Sequence, residues 1–529
     1  MESIDKPTVH ILASLLHDAG VRDIVVSSGT RCAPLTVAFG RSGLFTLHPV
    51  VDERTAAFVG LGMALATDQP VALVCTSGSA PLNYAPALSE AYYRRVPLIA
   101  VSADRPRRWL GQREGQTIRQ AGCLDAVVRC SVDLPPDDGT RKTLDKATDD
   151  IGRALAAATG IIHGPVHINV QIDSPIINFT SRTPCHICRT FPTPSLASDT
   201  SAFAALGLPH HPRTLIVAGG VRLSEAERSR LSRLALGGNA VVVAEVQTNI
   251  PGAMRPAEFD RDMKDAPVPD VVGIIGGDFV SGRFKQWLRT VAPQVKFFIS
   301  CTPEDGEVAT FGRIDANIPS NVAAFAEFLD GIADSEYRRS WESFIERIPE
   351  VKAPVIDILQ ALVDRFPAGD LHIGNGSAIR YAQHLRLQPD VTVECNRGVS
   401  GIDGCTSTAV GSAMVSRRPT LFVSGDMSAA YDIGALAVDG IPPTFRMAVI
   451  DNRGGDIFRN IPTTRELDEL EQYFAMPPRF PLRQLAEAYG FAYFECSEAT
   501  DSTIAEFMDY PGKAILRIIT DINNNKNLI

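Results

Sequence analysis

Two short segments late in the chain place oxygen ligands where a hard cation could be held. Residues 420–424, Thr-Leu-Phe-Val-Ser, form an apolar run that predicts a buried strand, and the run ends in Gly425-Asp426-Met427-Ser428 before a helical pattern reaching Ala437. The next predicted strand, 446–450, ends in Asp451-Asn452-Arg453-Gly454-Gly455. A carboxylate at the carboxyl end of a strand, beside the start of a helix, is placed to hold a metal that neutralises a diphosphate. Mg²⁺ requires near-octahedral oxygens and shares them between one or two carboxylates and phosphates. Asp426 supplies the carboxylate, the Asn452 side chain a neutral oxygen and the Gly454 carbonyl another ligand, leaving positions for phosphate oxygens and water. Each segment alone looks like an ordinary turn. Their joint placement on consecutive strand ends is what points to a metal.

The Gly-Asp element followed one strand later by the Asn element resembles the metal and diphosphate signature of thiamine-diphosphate-dependent enzymes, which runs from Gly-Asp-Gly to Asn-Asn. This chain departs from it at Met427 and Arg453 and keeps the metal ligands. The resemblance implies thiamine diphosphate and Mg²⁺, or Mn²⁺ in its place. It implies Glu53, Ser400, Gly401, Ile402, Asp426, Met427, Ser428 and Asn452 around the cofactor, with Asp426, Asn452 and Gly454 on the metal. The family also needs a glutamate hydrogen-bonded to the aminopyrimidine, and burial raises such a carboxyl's pKa and favours the proton-sharing form. Glu53 fits, standing where Val50-Val51-Asp52 gives way to an apolar, Gly- and Ala-rich helical pattern through Ala64. The competing explanation is a carboxylate that only complements the dipole of a helix start. In this family the pyrimidine-binding and diphosphate-binding domains of one site come from different subunits. The resemblance therefore implies a homo-oligomer, dimer or tetramer, with the site at a subunit interface.

Further segments narrow the likeness. Ser27-Ser28-Gly29-Thr30-Arg31, Asp52-Glu53-Arg54, Thr76-Ser77-Gly78-Ser79-Ala80, Ser102-Ala103-Asp104-Arg105-Pro106 and Gly115-Gln116-Thr117-Ile118-Arg119-Gln120 are similar, in order, to the menaquinone-pathway family of thiamine-diphosphate transferases. So are Ile373-Gly374-Asn375, Asn396-Arg397-Gly398-Val399-Ser400-Gly401-Ile402-Asp403-Gly404 and Gly454-Gly455-Asp456-Ile457-Phe458. That family decarboxylates 2-oxoglutarate and adds the succinyl carbanion equivalent to isochorismate. Its substrates bring several carboxylates, and arginine, planar and always charged, grips a carboxylate with two parallel hydrogen bonds. The resemblance implies substrate contacts from Arg31, Arg105, Gln116, Arg380 and Arg397, with Ile457 and Phe458 as an apolar wall. It implies Glu53, Arg31 and Gln116 as catalytic residues and Ile402 as the prop for the cofactor's rings. The chain departs from the pattern at Thr30, Gly115, Gly376 and Phe284, all on the expected substrate side. Two rival readings stand beside this one. An acetolactate-synthase-like ligase or a simple 2-oxo-acid decarboxylase would keep the cofactor, though its substrates need fewer arginines; a non-catalytic nucleotide-binding α/β protein would keep only the architecture.

These residues need a scaffold. At 529 residues the chain exceeds what one core supports, since cores divide beyond about 250–300 residues. Short β-rich runs at 23–27, 70–76, 97–102 and 165–170 alternate with helical patterns, then again at 214–218, 240–245, 271–275 and 296–300. Continuous apolar strands separated by helices predict an α/β fold of three domains, each a mainly parallel sheet flanked by helices. The expected division is a pyrimidine-binding domain over 1–180, a central domain over 190–340 and a diphosphate-binding domain over 350–529. A Thr-, Ser- and Pro-rich stretch over 178–200 reads as the first linker, and a charged helix over 335–350 leads past Pro354 into the last domain.

A net charge of −10 argues against a nucleic-acid partner, which needs clustered Lys and Arg. No run approaches the about 20 apolar residues of a membrane helix, and the first residues, with Asp5, Lys6, His10, His17 and Asp18, do not read as a secretory signal. A cytoplasmic enzyme without a membrane partner is expected. The 10 cysteines are scattered and read as reduced thiols. The pair in Cys185-His186-Ile187-Cys188 lacks the second half of a zinc site. Gly219-Gly220 and Gly276-Gly277 follow predicted strands as phosphate-gripping turns often do, but the fuller dinucleotide fingerprint is missing.

Overall fold

The computed structural model describes residues 3–181, 187–191, 200–208, 210–220, 222–238, 240–300, 310–330, 335–500 and 502–520. Cys185 and His186 lie outside these residues. The chain forms two compact units, Met1–Pro194 with Gly398–Pro419 and Ser428–Phe445, and Ser195–Arg397 with Thr420–Met427 and Arg446–Ile529.

In the first unit the apolar runs become the inner strands of a parallel sheet ordered Thr46–Pro49, Asp23–Val26, Val71–Cys75, Leu98–Asp104, Val166–Gln171 and Cys130–Leu134. Every residue of Val71–Cys75, Leu98–Asp104 and Val166–Gln171 is buried, as a sheet covered on both faces requires. One face packs on the helices Pro7–Asp18, Ala33–Ser42 and Arg141–Ala158 through Leu12, Leu16, Phe39, Ile151 and Leu155. The helix Glu53–Thr67 is buried continuously from Thr55 to Leu65, so it has no solvent face to make amphipathic. It packs on the sheet and on the helix Cys405–Val415, itself buried from Cys405 to Ala413. A Cβ on Gly62 would lie 2.0 Å from the Thr408 carbonyl, and one on Gly411 would lie 2.0 Å from the Val59 carbonyl. The two helix backbones touch, and only glycine permits it.

The second unit holds two more parallel sheets. The central one runs Val241–Ala244, Thr214–Ala218, Val271–Ile275, Val295–Ser300, Ala316–Pro319. A core lies on each of its faces, one closed by Phe203 and Phe325 and the other by Phe259, Phe284 and Trp341. The remaining sheet runs Asp390–Cys395, Ala368–Ile373, Thr420–Gly425, Phe445–Asp451, Ala514–Ile519, Ala492–Cys496. Thr420–Gly425 and Phe445–Asp451 are therefore neighbours. The architecture is the α/β arrangement of three parallel sheets that the alternating patterns predict.

Two expectations about helices change. The pattern reaching Ala437 splits into a helix Asp426–Tyr431 and a 3₁₀ turn Ile433–Ala437. The break falls at Asp432, whose fully buried carboxylate turns aside to accept from the Ser407 N–H at 2.7 Å and the Ser407 hydroxyl at 2.8 Å. The charged helix expected over 335–350 ends at Ile345, before Pro349. Among the described residues no helix is long and apolar enough to cross a membrane.

Candidate active site

In the first unit, Glu53 opens the helix Glu53–Thr67 and is half-buried. The job of capping falls to Asp52, whose carboxylate accepts from the Arg54 N–H at 2.9 Å and the Thr55 N–H at 3.2 Å. Glu53 is thereby relieved of satisfying the helix start. Arg54 lies with its guanidinium 4.9 Å from the centre of the Tyr431 ring and donates to the Tyr431 carbonyl at 3.3 Å.

The segment carrying Ser400, Gly401 and Ile402 is anchored from both ends. Glu90, 1% exposed, accepts from the Gly398 and Val399 N–H groups, each at 2.8 Å. Ser400 takes a φ of +60°, and the buried Ser428 hydroxyl donates to the Ile402 carbonyl at 2.7 Å. Sequence reasoning missed Glu90. Its signal was an acid between Ala87, Leu88 and Ala91 on the buried face of the helix Ala85–Arg94.

The arginines and Gln116 of this unit sit at the carboxyl edge of its sheet. Arg31 is buried and donates to the Ile172 carbonyl at 2.8 Å. Burial, then the charge of Arg105, lowers its pKa from the ordinary arginine value. Arg105 donates to the Gly115 carbonyl at 2.9 Å and pairs with Glu114 at 3.1 Å. Gln116 is exposed on a left-handed backbone, φ +55°, and its carbonyl accepts from Ser77 at 2.9 Å. Beneath them a buried network converges on Asn169. Its Oδ1 accepts from Ser102 at 2.9 Å and Gln120 at 2.8 Å, and its Nδ2 donates to Asp104 and Asp133, both at 2.9 Å. Gln120 also accepts from the Gly78 N–H at 3.0 Å, tying the Gln116 segment to the sheet. Asn169 and Gln120 were not anticipated, because their partners are distant in sequence.

In the second unit, Asp426 is 3% exposed. Its Oδ1 accepts from the Met427 N–H and its Oδ2 from the Gly454 N–H, both at 2.7 Å. Burial pushes its pKa up to about 7, partly offset by the Gly454 N–H. Asn452, also 3% exposed, has its Oδ1 buried without a hydrogen-bond partner among the described residues. Gly454 has a φ of +103°, and a Cβ there would lie 2.1 Å from the Ala475 carbonyl. Arg459, unanticipated, holds this turn from below. It donates to the Asn452 carbonyl at 3.2 Å and the Arg453 carbonyl at 2.8 Å, and pairs with Glu471 through two contacts of 2.8 Å.

A buried carboxamide oxygen left without a donor is costly unless something binds it. The donor set, one carboxylate, one amide oxygen and a nearby backbone carbonyl, suits a hard divalent ion completed by phosphate oxygens. No cluster of three or more His, Cys, Asp or Glu side chains able to hold a metal occurs among the described residues. Ile457 and Phe458 are half-buried on the short helix Asp456–Asn460 that follows the turn. Arg380, on the helix Ser377–Ala382, donates to the Gly376 carbonyl at 2.7 Å. Arg397 donates to Asn375 at 3.2 Å. The structure thus brings Asp426, Asn452 and Gly454 to one turn pair, and Glu53, Ser400 and Ile402 into the other unit.

Comparisons with known proteins identify what the chain resembles. The family model described as the N-terminal thiamine-pyrophosphate-binding domain of thiamine pyrophosphate enzymes matches residues 7–123. A 2-succinyl-5-enolpyruvyl-6-hydroxy-3-cyclohexene-1-carboxylate synthase of Desulfotalea psychrophila is 33% identical over 95% of this chain and 96% of its own length. Proteins of the same name from Bacteroides fragilis and Flavobacterium psychrophilum are 31% and 32% identical, covering 99% and 94% of this chain and 97% and 92% of their own.

Proposed function

The chain belongs to the 2-succinyl-5-enolpyruvyl-6-hydroxy-3-cyclohexene-1-carboxylate synthase family, thiamine-diphosphate-dependent enzymes, and on that premise we propose how its residues join 2-oxoglutarate to isochorismate. When bound, thiamine diphosphate supplies the electron sink that decarboxylation of a 2-oxo acid requires. Asp426 and Asn452 side-chain oxygens and the Gly454 carbonyl hold Mg²⁺ or Mn²⁺, while Met427 and Ser428 border the diphosphate. Glu53 holds a proton against the aminopyrimidine, and Ser400, Gly401 and Ile402 shape its seat. Arg31, Arg105, Arg380 and Arg397 neutralise substrate carboxylates; Gln116 orients a reacting group by hydrogen bonding; Ile457 and Phe458 keep water away. Pre-set donors of this kind lower the barrier because they need no rearrangement as charge shifts.

We further propose that the pyrimidine-binding part of one copy and the diphosphate-binding part of another complete each site, in a homo-oligomer. The functional divisions proposed are 1–180, 190–340 and 350–529. Free cysteines throughout the described residues suit a cytoplasmic location.

The single observation carrying the metal assignment is the buried, unpartnered Oδ1 of Asn452 beside the Asp426–Gly454 hydrogen bond. Mass spectrometry of the products from 2-oxoglutarate, isochorismate, thiamine diphosphate and Mg²⁺ tests the whole reading. The expected product carries the isochorismate skeleton plus a succinyl group. No turnover at all contradicts it, as does preferential consumption of pyruvate when pyruvate is added as a competing 2-oxo acid.

A further inference from the structure

The paired glycines that end two strands of the central sheet play no part in the reaction described above. The Gly220 N–H donates to the Gly277 carbonyl, and a Cβ on Gly219 would lie 2.0 Å from that same oxygen. The two turns are locked backbone to backbone, so this N–H serves the protein and not a phosphate. The locked turn continues into Asp278, whose φ of +55° is a conformation Asp adopts more readily than most residues.

Asp278 meets Arg397. The arginine Nη2 donates to Asp278 Oδ1 at 3.1 Å, and its Nε lies 3.1 Å from Oδ2. Its Nη1 donates to Asn375 Oδ1 at 3.2 Å, and Asn375 is itself fixed by donating to the Asn396 carbonyl at 2.5 Å. The Arg397 side chain is only 12% exposed. A guanidinium has five N–H groups in a rigid fork. Nη2 gives one hydrogen to Asp278 and Nη1 one to Asn375, so each keeps a second N–H that a substrate carboxylate can accept, while the buried Nε, 3.1 Å from Asp278 Oδ2, makes no hydrogen bond among the described residues. Glu245, buried after the strand Val241–Ala244, adds a second acid whose charge acts on both Arg397 and Arg380.

We propose that Asp278 is a positioning residue that orients Arg397 and so fixes which substrate carboxylate the site accepts, making the central sheet's locked turn part of substrate selection. This rests on the reading of Arg397 as a substrate ligand. An arginine without its counter-ion keeps its charge but loses its direction, and bidentate recognition depends on direction.

Asp278→Asn and Asp278→Gly both suit the left-handed backbone, so the turn is retained. Each is to be assayed on the full-length enzyme for kcat, for KM of both substrates and for thiamine diphosphate affinity by fluorescence quenching, with Arg397→Lys in parallel. The expected result is a rise of about tenfold in at least one KM, larger than any fall in kcat, with cofactor affinity unchanged and partial recovery in Asp278→Glu. In the Asp278→Asn/Arg397→Lys double variant the losses should coincide instead of adding. Unchanged or lower KM values in both Asp278 variants, with KM raised in Arg397→Lys, overturn the proposal alone. Unchanged KM values in Arg397→Lys as well remove the underlying reading of Arg397.

Discussion

Asp426 Oδ2 accepts the Gly454 N–H at 2.7 Å, so the tips of two neighbouring strands are tied by the side chain proposed to carry the metal. Asp426→Asn keeps the size and removes the charge, and its amide cannot accept from both the Met427 and Gly454 N–H groups. We expect Mg²⁺-dependent binding of thiamine diphosphate to weaken by at least about 100-fold. Calorimetric titration with and without Mg²⁺ reads this directly; wild-type affinity in the variant rules out Asp426 as a ligand.

Glu53 stands beside a cap that Asp52 already provides. Glu53→Gln should therefore leave helix content and thermal midpoint near wild type while turnover falls by about 10²–10⁴-fold, the range of a lost acid–base group. Circular dichroism and single-turnover decarboxylation separate the two effects. Full turnover in the variant ends the role given to this carboxyl.

How much of this was legible beforehand follows from where each signal lies. Val71–Cys75 and Leu98–Asp104 are buried on both faces, so their apolar runs announce them. The edge strands Thr46–Pro49 and Ala316–Pro319 keep mostly exposed or half-buried residues, and nothing in their composition separates them from loops. Asp426 and Asn452 were readable because the ends of parallel strands fix where such residues sit. Glu90 and Asn169 were not, because the groups they bind lie far away along the chain, and Arg459 was not, because its hold on the nearby Asn452 and Arg453 carbonyls depends on how the turn folds back. The glycine pairs were visible as motifs, but their reason, one turn's N–H on the other's carbonyl, exists only once the sheet has formed.

Gly62 and Gly411 should tolerate no side chain. Gly62→Ala puts a methyl 2.0 Å from a backbone carbonyl that cannot swing aside as a flexible side chain would. Overpacking of this kind costs about 1–3 kcal/mol or more, outweighing alanine's helix-propensity gain of about 1 kcal/mol. Denaturant unfolding checks it: a variant as stable as wild type shows that the helices can separate freely.

His167, fully buried, donates from Nε2 to the Ser102 hydroxyl oxygen at 2.7 Å, that hydroxyl's one hydrogen going to Asn169, and burial lowers its pKa to about 4. The unfolded imidazole takes a proton below about 6.5 and the folded one resists until about 4, so the unfolded state binds more protons between these values. Stability from this group is complete above that window and is lost as pH falls through it, up to about 3 kcal/mol. His167→Asn should flatten the acid limb of a stability profile relative to wild type. Parallel profiles would remove His167 from the account of acid sensitivity.

The contact between the helices Glu53–Thr67 and Cys405–Val415 reaches beyond stability. One begins with Glu53, proposed to hold a proton; the other begins just after the segment bearing Ile402. Meshed at Gly62 and Gly411, they cannot slide by a fraction of a turn without a collision, so the two working ends share one chassis. Evolution can redesign the arginine-bearing loops for another acid while this gearing stays in register.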